Sequence, residues 1–204
     1  MSSPLLEKQA GLPPQEGCVT LHGVSWEQFE AIELALEGIA GTRLIYLDGT
    51  LDIMAPLSPE HEDKKRTINL LLETYFREKG IRFYARGGPT LGNREIRGRK
   101  KPDDSYNLET KKPVPDIIIE VVITSGGVNV LENYKRVRVP EVWFWQNGKL
   151  EVYHLGEQEY ELCERSILLP ELDLNLLAQY VNYSDQYDAV REFQKAISNQ
   201  NTGT

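Results

Sequence analysis

A chain of 204 residues with 40% hydrophobic composition can bury a full core and fits one globular unit better than two. Its net charge of −8 excludes a protein that coats nucleic acid through bulk positive charge. No run approaches the ~20 apolar residues of a membrane helix, the opening residues lack a secretory pattern, and Cys18 and Cys163 show no metal-ligand spacing. The expectation is a cytoplasmic protein with no membrane partner, disulfide framework or thiolate zinc site.

Residues 1–17 are punctuated by Pro and Gly without a period and read as an N-terminal arm, leaving 18–204 as a single domain. Ser25 with Gln28 three residues on is a capping-box pattern, and Phe29, Ile32 and Leu36 continue at helical spacing to Gly38. Arg43 to Leu47 and Thr50 to Met54, joined by Asp48-Gly49, read as a hairpin. Ser58-Pro59 opens the longest helix and Gly80 closes it. Its apolar stripe of Ile68, Leu71, Leu72, Tyr75 and Phe76 turns polar toward His61, Lys64 and Lys65, which would put polar groups at the mouth of a cleft.

Strands are then expected over Ile81 to Arg86, Thr90 to Ile96, Lys101 to Asn107 and Pro115 to Thr124. The turn Ser125-Gly126-Gly127 breaks the last of these, and Val130, Leu131, Tyr134 and Val137 mark a helix that Pro140 ends. Val142 to Trp145 and Leu150 to His154 form a second hairpin through Asn147-Gly148, and Tyr160 to Cys163 is a third strand. Two helices finish the chain, the last capped by Ser184. The order of elements predicts an α/β chain of the α+β type, a mixed sheet with helices packed on its faces and added hairpins. No dinucleotide or Walker motif is present, so Gly87-Gly88 and Gly126-Gly127 read as turns.

Two proline-led acidic segments carry the chemistry. Ile117, Ile118, Ile119, Val121, Val122 and Ile123 read as a strand buried on both faces, where a charged Glu120 is costly unless a cation or proton compensates it. Asp103, on a neighbouring strand, can approach Glu120, whereas Asp116 lies four residues from it, roughly 13 Å along a strand, and reads as an anchor. Period-two alternation places Lys101 on the face of Asp103. Arg94, Arg97, Arg99, Lys100 and Lys101 crowd the approach to Asp103, a placement that suits a phosphate-facing role. Trp143 and Trp145 share a strand face and read as packing, against a sugar-binding site of the glycosidase type.

The string KPDDSYNLE, followed by PVPDIIIEVVITSGG and LENYKRVRVPEVWFW, resembles the Uma-two family, a branch of the PD-(D/E)XK nuclease superfamily. The segments IYLDGTLDIMAP and SPEHE fit it as well, and the resemblance spans roughly residues 20 to 195. It implies a restriction-endonuclease-like core that hydrolyses DNA phosphodiester bonds with Mg2+ or Mn2+. Asp103 and Glu120 match the motif carboxylates and would hold the metal, with the Val121 carbonyl as a further ligand, while His61 and Glu62 match the polar positions of the first core helix. The superfamily's lysine, normally two residues after the glutamate where Val122 stands, is moved in this family to four residues before the tyrosine, and that position is Val130. Lys101 is the expected substitute, with Lys64 and Lys135 as other lysines able to reach. The resemblance also implies a homodimer. The competing reading is a catalytically inactive nuclease fold that binds nucleic acid or serves as a dimeric interaction module, favoured by the loss of the lysine and the net negative charge.

Overall fold

The computed structural model describes residues 17–55, 58–123 and 126–200. Instead of one sheet it holds two. The strands β1 (Gly17–His22), β2 (Arg43–Leu47), β3 (Thr50–Ala55), β5 (Leu91–Asn93) and β6 (Gly98–Lys100) form an antiparallel sheet in the order β1-β3-β2-β6-β5. The strands β4 (Phe83–Ala85), β7 (Asp104–Leu108), β8 (Ile117–Val121), β9 (Glu141–Gln146), β10 (Lys149–Leu155) and β11 (Tyr160–Cys163) form the other, ordered β11-β10-β9-β8-β7-β4. Only β8 and β9 run parallel in it, and the helix α3 (Val130–Arg136) supplies the crossover that a parallel pair needs.

Local chemistry sets the element ends as expected at most positions. Helix α1 (Trp26–Ala35) has the complete capping box of Ser25 and Gln28, and α2 (Pro59–Glu78) is capped by the Ser58 hydroxyl, 3.1 Å from the His61 amide. Both hairpin turns put their two central residues at positive φ, Asp48-Gly49 and Asn147-Gly148, as a tight right-twisted hairpin requires. Helix α3 stops at Arg136, before Pro140, because Arg138 is already in the left-handed region. The final helices are α4 (Leu174–Val181) and α5 (Gln186–Gln200), and the cap of α5 is Asp185, whose carboxylate accepts from the Asp188 amide at 2.9 Å, rather than Ser184. Serine and aspartate cap about equally well, so neighbouring candidates are not separable by preference.

The main core lies where α2, α4 and α5 cover one face of the six-stranded sheet: Ile68, Leu72 and Phe76 meet Ile117, Ile119, Trp143, Leu177 and Phe193. Trp143 and Trp145 are both in this core, as their shared face predicted. Strand β8 is buried on both sides, and period-two alternation turns Ile118 and Glu120 to its other face, where Ile118 packs with Tyr134 and Val142. On the five-stranded sheet α1 seats Trp26 and Phe29 against Tyr46 and Leu51.

Two differences from the sequence reading position the site. Residues 1–16 of the expected arm lie outside the described residues, but Gly17 opens β1, which was not anticipated. Its apolar Val19 and Leu21 face solvent while Thr20 turns inward to hydrogen-bond Asp52 at 2.6 Å, so the alternation of a half-buried strand is inverted. The expected strand over Lys101 to Asn107 is broken: β6 ends at Lys100 in one sheet and β7 begins at Asp104 in the other. Pro102, which has no amide hydrogen for a ladder, sits at the crossing.

Asp52 itself is buried and accepts from the Gly127 amide at 3.1 Å and the Val128 amide at 2.8 Å. This fastens the segment after β8 to the five-stranded sheet. A Cβ on Gly126 would overlap the Asp52 carboxylate, which is why this turn needs glycine.

Candidate active site

The crossing between the sheets brings together charged residues from β2, α2, β6, β8 and the segment before β7. Asp103 accepts from the Val121 amide at 2.7 Å, and the same carboxylate oxygen lies 3.1 Å from His61 Nε2. Its other oxygen is ion-paired with Arg43, a residue of β2. Arg43 also lies 3.0 Å from His61 Nε2 and 3.8 Å from Glu120 Oε2, so one guanidinium spans both carboxylates. Asp104, the second acid of the pair, is held apart by Asn69 of α2 at 2.5 Å.

Glu120 is compensated as its burial demands. The Lys100 ammonium is 3.0 Å from Oε1 and 3.2 Å from Oε2, and the Tyr134 hydroxyl donates to Oε1. Burial drives the Lys100 pKa below that of an ordinary lysine, and the Glu120 charge works against that fall. Burial, with the Glu120 charge and hydrogen bond added to it, pushes the Tyr134 phenol far above its ordinary value, so it stays a donor. Two cavities open on this cluster, and Arg43 and Lys100 line both. The larger, about 660 Å3, runs past Glu30, Glu33, Lys65, Lys101 and Asp103. The smaller, about 320 Å3, is walled by Glu120, Val121, Val130, Phe144 and Tyr153.

The structure thus gathers Asp103, Glu120, His61 and the Val121 amide at one point. Glu62 stands at the edge, 48% exposed, 2.5 Å from Lys65 and 3.4 Å from His61 Nδ1. Lys101 is exposed on the lip of the larger cavity and shares no strand with Asp103, because the chain leaves its sheet between Lys100 and Asp104. Lys64 is committed to the Val181 carbonyl, and Lys135 pairs with Glu132 and Glu159. Nor does the basic run form one phosphate-facing patch: Arg94 pairs with Glu27, Arg97 with Asp48 and Arg99 with Glu33, and Lys100 is buried. Asp116 anchors the loop before β8, accepting from the Leu108 amide and from Lys112.

Sequence reasoning missed Arg43 and Tyr134, and it named Lys100 only within a phosphate-facing basic run, not as the partner of Glu120. Lys100 carried a usable signal, since strand parity need not carry from a lysine through a proline two residues later. The donor set fits a hard divalent cation in kind, because Asp103 and Glu120 are oxygen ligands of the sort Mg2+ and Mn2+ take. Both are nevertheless engaged by protein cations, and among the described residues no three His, Cys, Asp or Glu side chains are grouped to hold an ion.

The fold is α+β, and a buried carboxylate pair lies where its two sheets meet. The family model "Uma2: Putative restriction endonuclease" matches residues 26–181, and the chain belongs to that family. Among solved structures it is similar to the crystal structure of "a putative nuclease belonging to DUF820" from Anabaena variabilis ATCC 29413. That match has 14% identity and a TM-score of 0.44, and it covers 68% of this chain and 90% of the other. No curated protein matches the chain. No helix among the described residues is long and apolar enough to cross a membrane.

Proposed function

We propose that the chain is an endonuclease that hydrolyses DNA phosphodiester bonds with Mg2+ or Mn2+. The observation that carries this reading, in a chain of this family, is the convergence of Asp103, Glu120 and Lys100 at a cluster open to two cavities. Asp103 and Glu120 would hold the ion, which when bound activates water and stabilises charge on the phosphate. Lys100 takes the post of the absent motif lysine, in place of the expected Lys101: it projects into the cavity that Val130 also lines, where its ammonium orients the attacking water. Tyr134 fixes Glu120, and His61 with the Val121 amide fixes Asp103. The working form is a homodimer in the cytoplasm, and a monomeric mass in sedimentation at micromolar protein would count against the dimer.

The test is cleavage of supercoiled and single-stranded DNA with Mg2+ and Mn2+ by the unmodified protein and Asp103→Asn. Cleavage that disappears in Asp103→Asn supports the reading, and cleavage that persists there, or none in the unmodified protein, overturns it. The second reading, a nuclease fold kept for binding or dimerisation, draws on Val130 at the lysine position. Silence of the unmodified protein with DNA binding or a stable dimer would favour it.

A further inference from the structure

We infer that Arg43 is a resident counter-cation, which holds the two carboxylates while no divalent ion is bound and releases them when one arrives. The inference rests on the metal-dependent reading above. Asp103 and Glu120 bring two negative charges to the cluster, and Arg43 and Lys100 bring two positive ones. These two pairs are matched without a metal, and the buried Asp52 carboxylate beyond them acts on Lys100 as well. A divalent ion placed between Asp103 and Glu120 would crowd positive charge against Arg43 and Lys100 among side chains that are at most 11% exposed, where repulsion is poorly screened. One protein cation has to withdraw.

Geometry selects Arg43. Lys100 is 2% exposed, reaches both oxygens of Glu120, and lies 5.9 Å from the centre of the Tyr134 ring. Arg43 is 11% exposed, pairs with Asp103, lies 3.0 Å from His61 Nε2 and makes a looser 3.8 Å approach to Glu120, and so spans the space between the two candidate ligands. Both cations line the larger cavity, but Arg43 is the more exposed and the more loosely held, so it is the one with somewhere to go. A guanidinium displaced there is suited to a phosphodiester oxygen, since its planar fork matches phosphate. Arg43 thereby couples metal binding to substrate binding: the ion frees the group that the substrate's phosphate then engages.

The experiment is calorimetric titration of the unmodified protein and of Arg43→Gln with MnCl2, with melting curves in the presence and absence of the metal. Arg43→Gln is expected to melt lower without metal, to bind Mn2+ roughly tenfold more tightly, and to gain more in melting temperature when Mn2+ is added. The added affinity should vanish in Arg43→Gln/Asp103→Asn. Mn2+ binding by the unmodified protein that is equalled or weakened in Arg43→Gln overturns the inference and leaves the metal-dependent reading standing. Binding by neither overturns both. Should Arg43→Gln not fold, the guanidinium Nη–H resonances of Arg43 in the unmodified protein are tracked against Mg2+. Loss of their protection is the expected result, and resonances unmoved at saturating Mg2+ overturn the inference.

Discussion

Lys100 and Glu120 form a buried ion pair across the two sheets, the ammonium of β6 in the five-stranded sheet standing 3.0 Å from the carboxylate of β8 in the six-stranded one. Removing one partner leaves a buried charge short of compensation. Lys100→Met should cost about 3 kcal/mol of unfolding free energy, and Lys100→Met/Glu120→Gln should recover most of it. Urea unfolding of the three proteins checks this. A single variant as stable as the unmodified protein would show that Arg43 and Tyr134 suffice for Glu120.

In cleavage assays, Lys100→Met should lower the rate constant by about 100- to 1000-fold, the loss seen when one donor to a developing charge is deleted. Val130→Lys in that background should return part of it, because Val130 and Lys100 line the same cavity. Single-turnover nicking of plasmid reads both effects, and a Lys100→Met protein that nicks at the unmodified rate removes Lys100 from the chemistry.

Asp48 in the β2–β3 turn receives hydrogen bonds from Arg136 of α3, at 2.6 Å and 3.1 Å, and these hold its pKa below the ordinary 3.8. A depressed carboxylate contributes stability that is fully present above its unfolded value and is lost as pH falls through the folded one. The side chain is 43% exposed, so the contribution is about a few tenths of a kcal/mol. Asp48→Asn keeps a residue that tolerates the positive φ of the turn, and it should flatten the acid side of the stability curve. Urea midpoints measured from neutral pH down to pH 3 test it, and an unchanged acid limb refutes the assignment.

Glu141 is wholly buried at the start of β9 and accepts from Trp143 Nε1 (2.8 Å), Ser166 Oγ (2.7 Å) and the amides of Ile167 (2.7 Å) and Leu168 (3.1 Å). Glu141→Ala strands these donors and should destabilise by about 3 kcal/mol or more, with Glu141→Gln intermediate. Metal affinity per folded molecule should be unchanged in Glu141→Gln, since Glu141 is absent from the walls of both cavities. A tenfold change in Mn2+ affinity would contradict that separation.

The elements that sequence reasoning found are those whose cause is local. The Ser25 and Ser58 caps and the Asp48-Gly49 and Asn147-Gly148 turns depend on neighbours within a few residues, and each appears where expected. The burial of Glu120 was legible as well, because unbroken apolar flanks leave a strand no solvent face. What compensates it was not. Arg43 and Lys100 arrive from another sheet, and nothing local to Glu120 announces them. Lys101 was favoured over Lys100 by carrying one alternation through Pro102, and a chain that changes sheets there has no common face on the two sides. The strand β1 escaped notice because its polar Thr20 points in and its valine and leucine point out.

The Asp52 carboxylate that grips the amides of Gly127 and Val128 has a consequence for how this chain tolerates change. The chain after β8 is held at the Val121 amide by Asp103, in the crossing between the sheets, and at the Gly127 amide by Asp52 of the five-stranded sheet. Most surface loops absorb an inserted residue at little cost. An insertion at Gly126 or Gly127 is of another kind, because it would displace the amides that Asp52 holds, so these two glycines are as much a part of the site's frame as the carboxylates themselves.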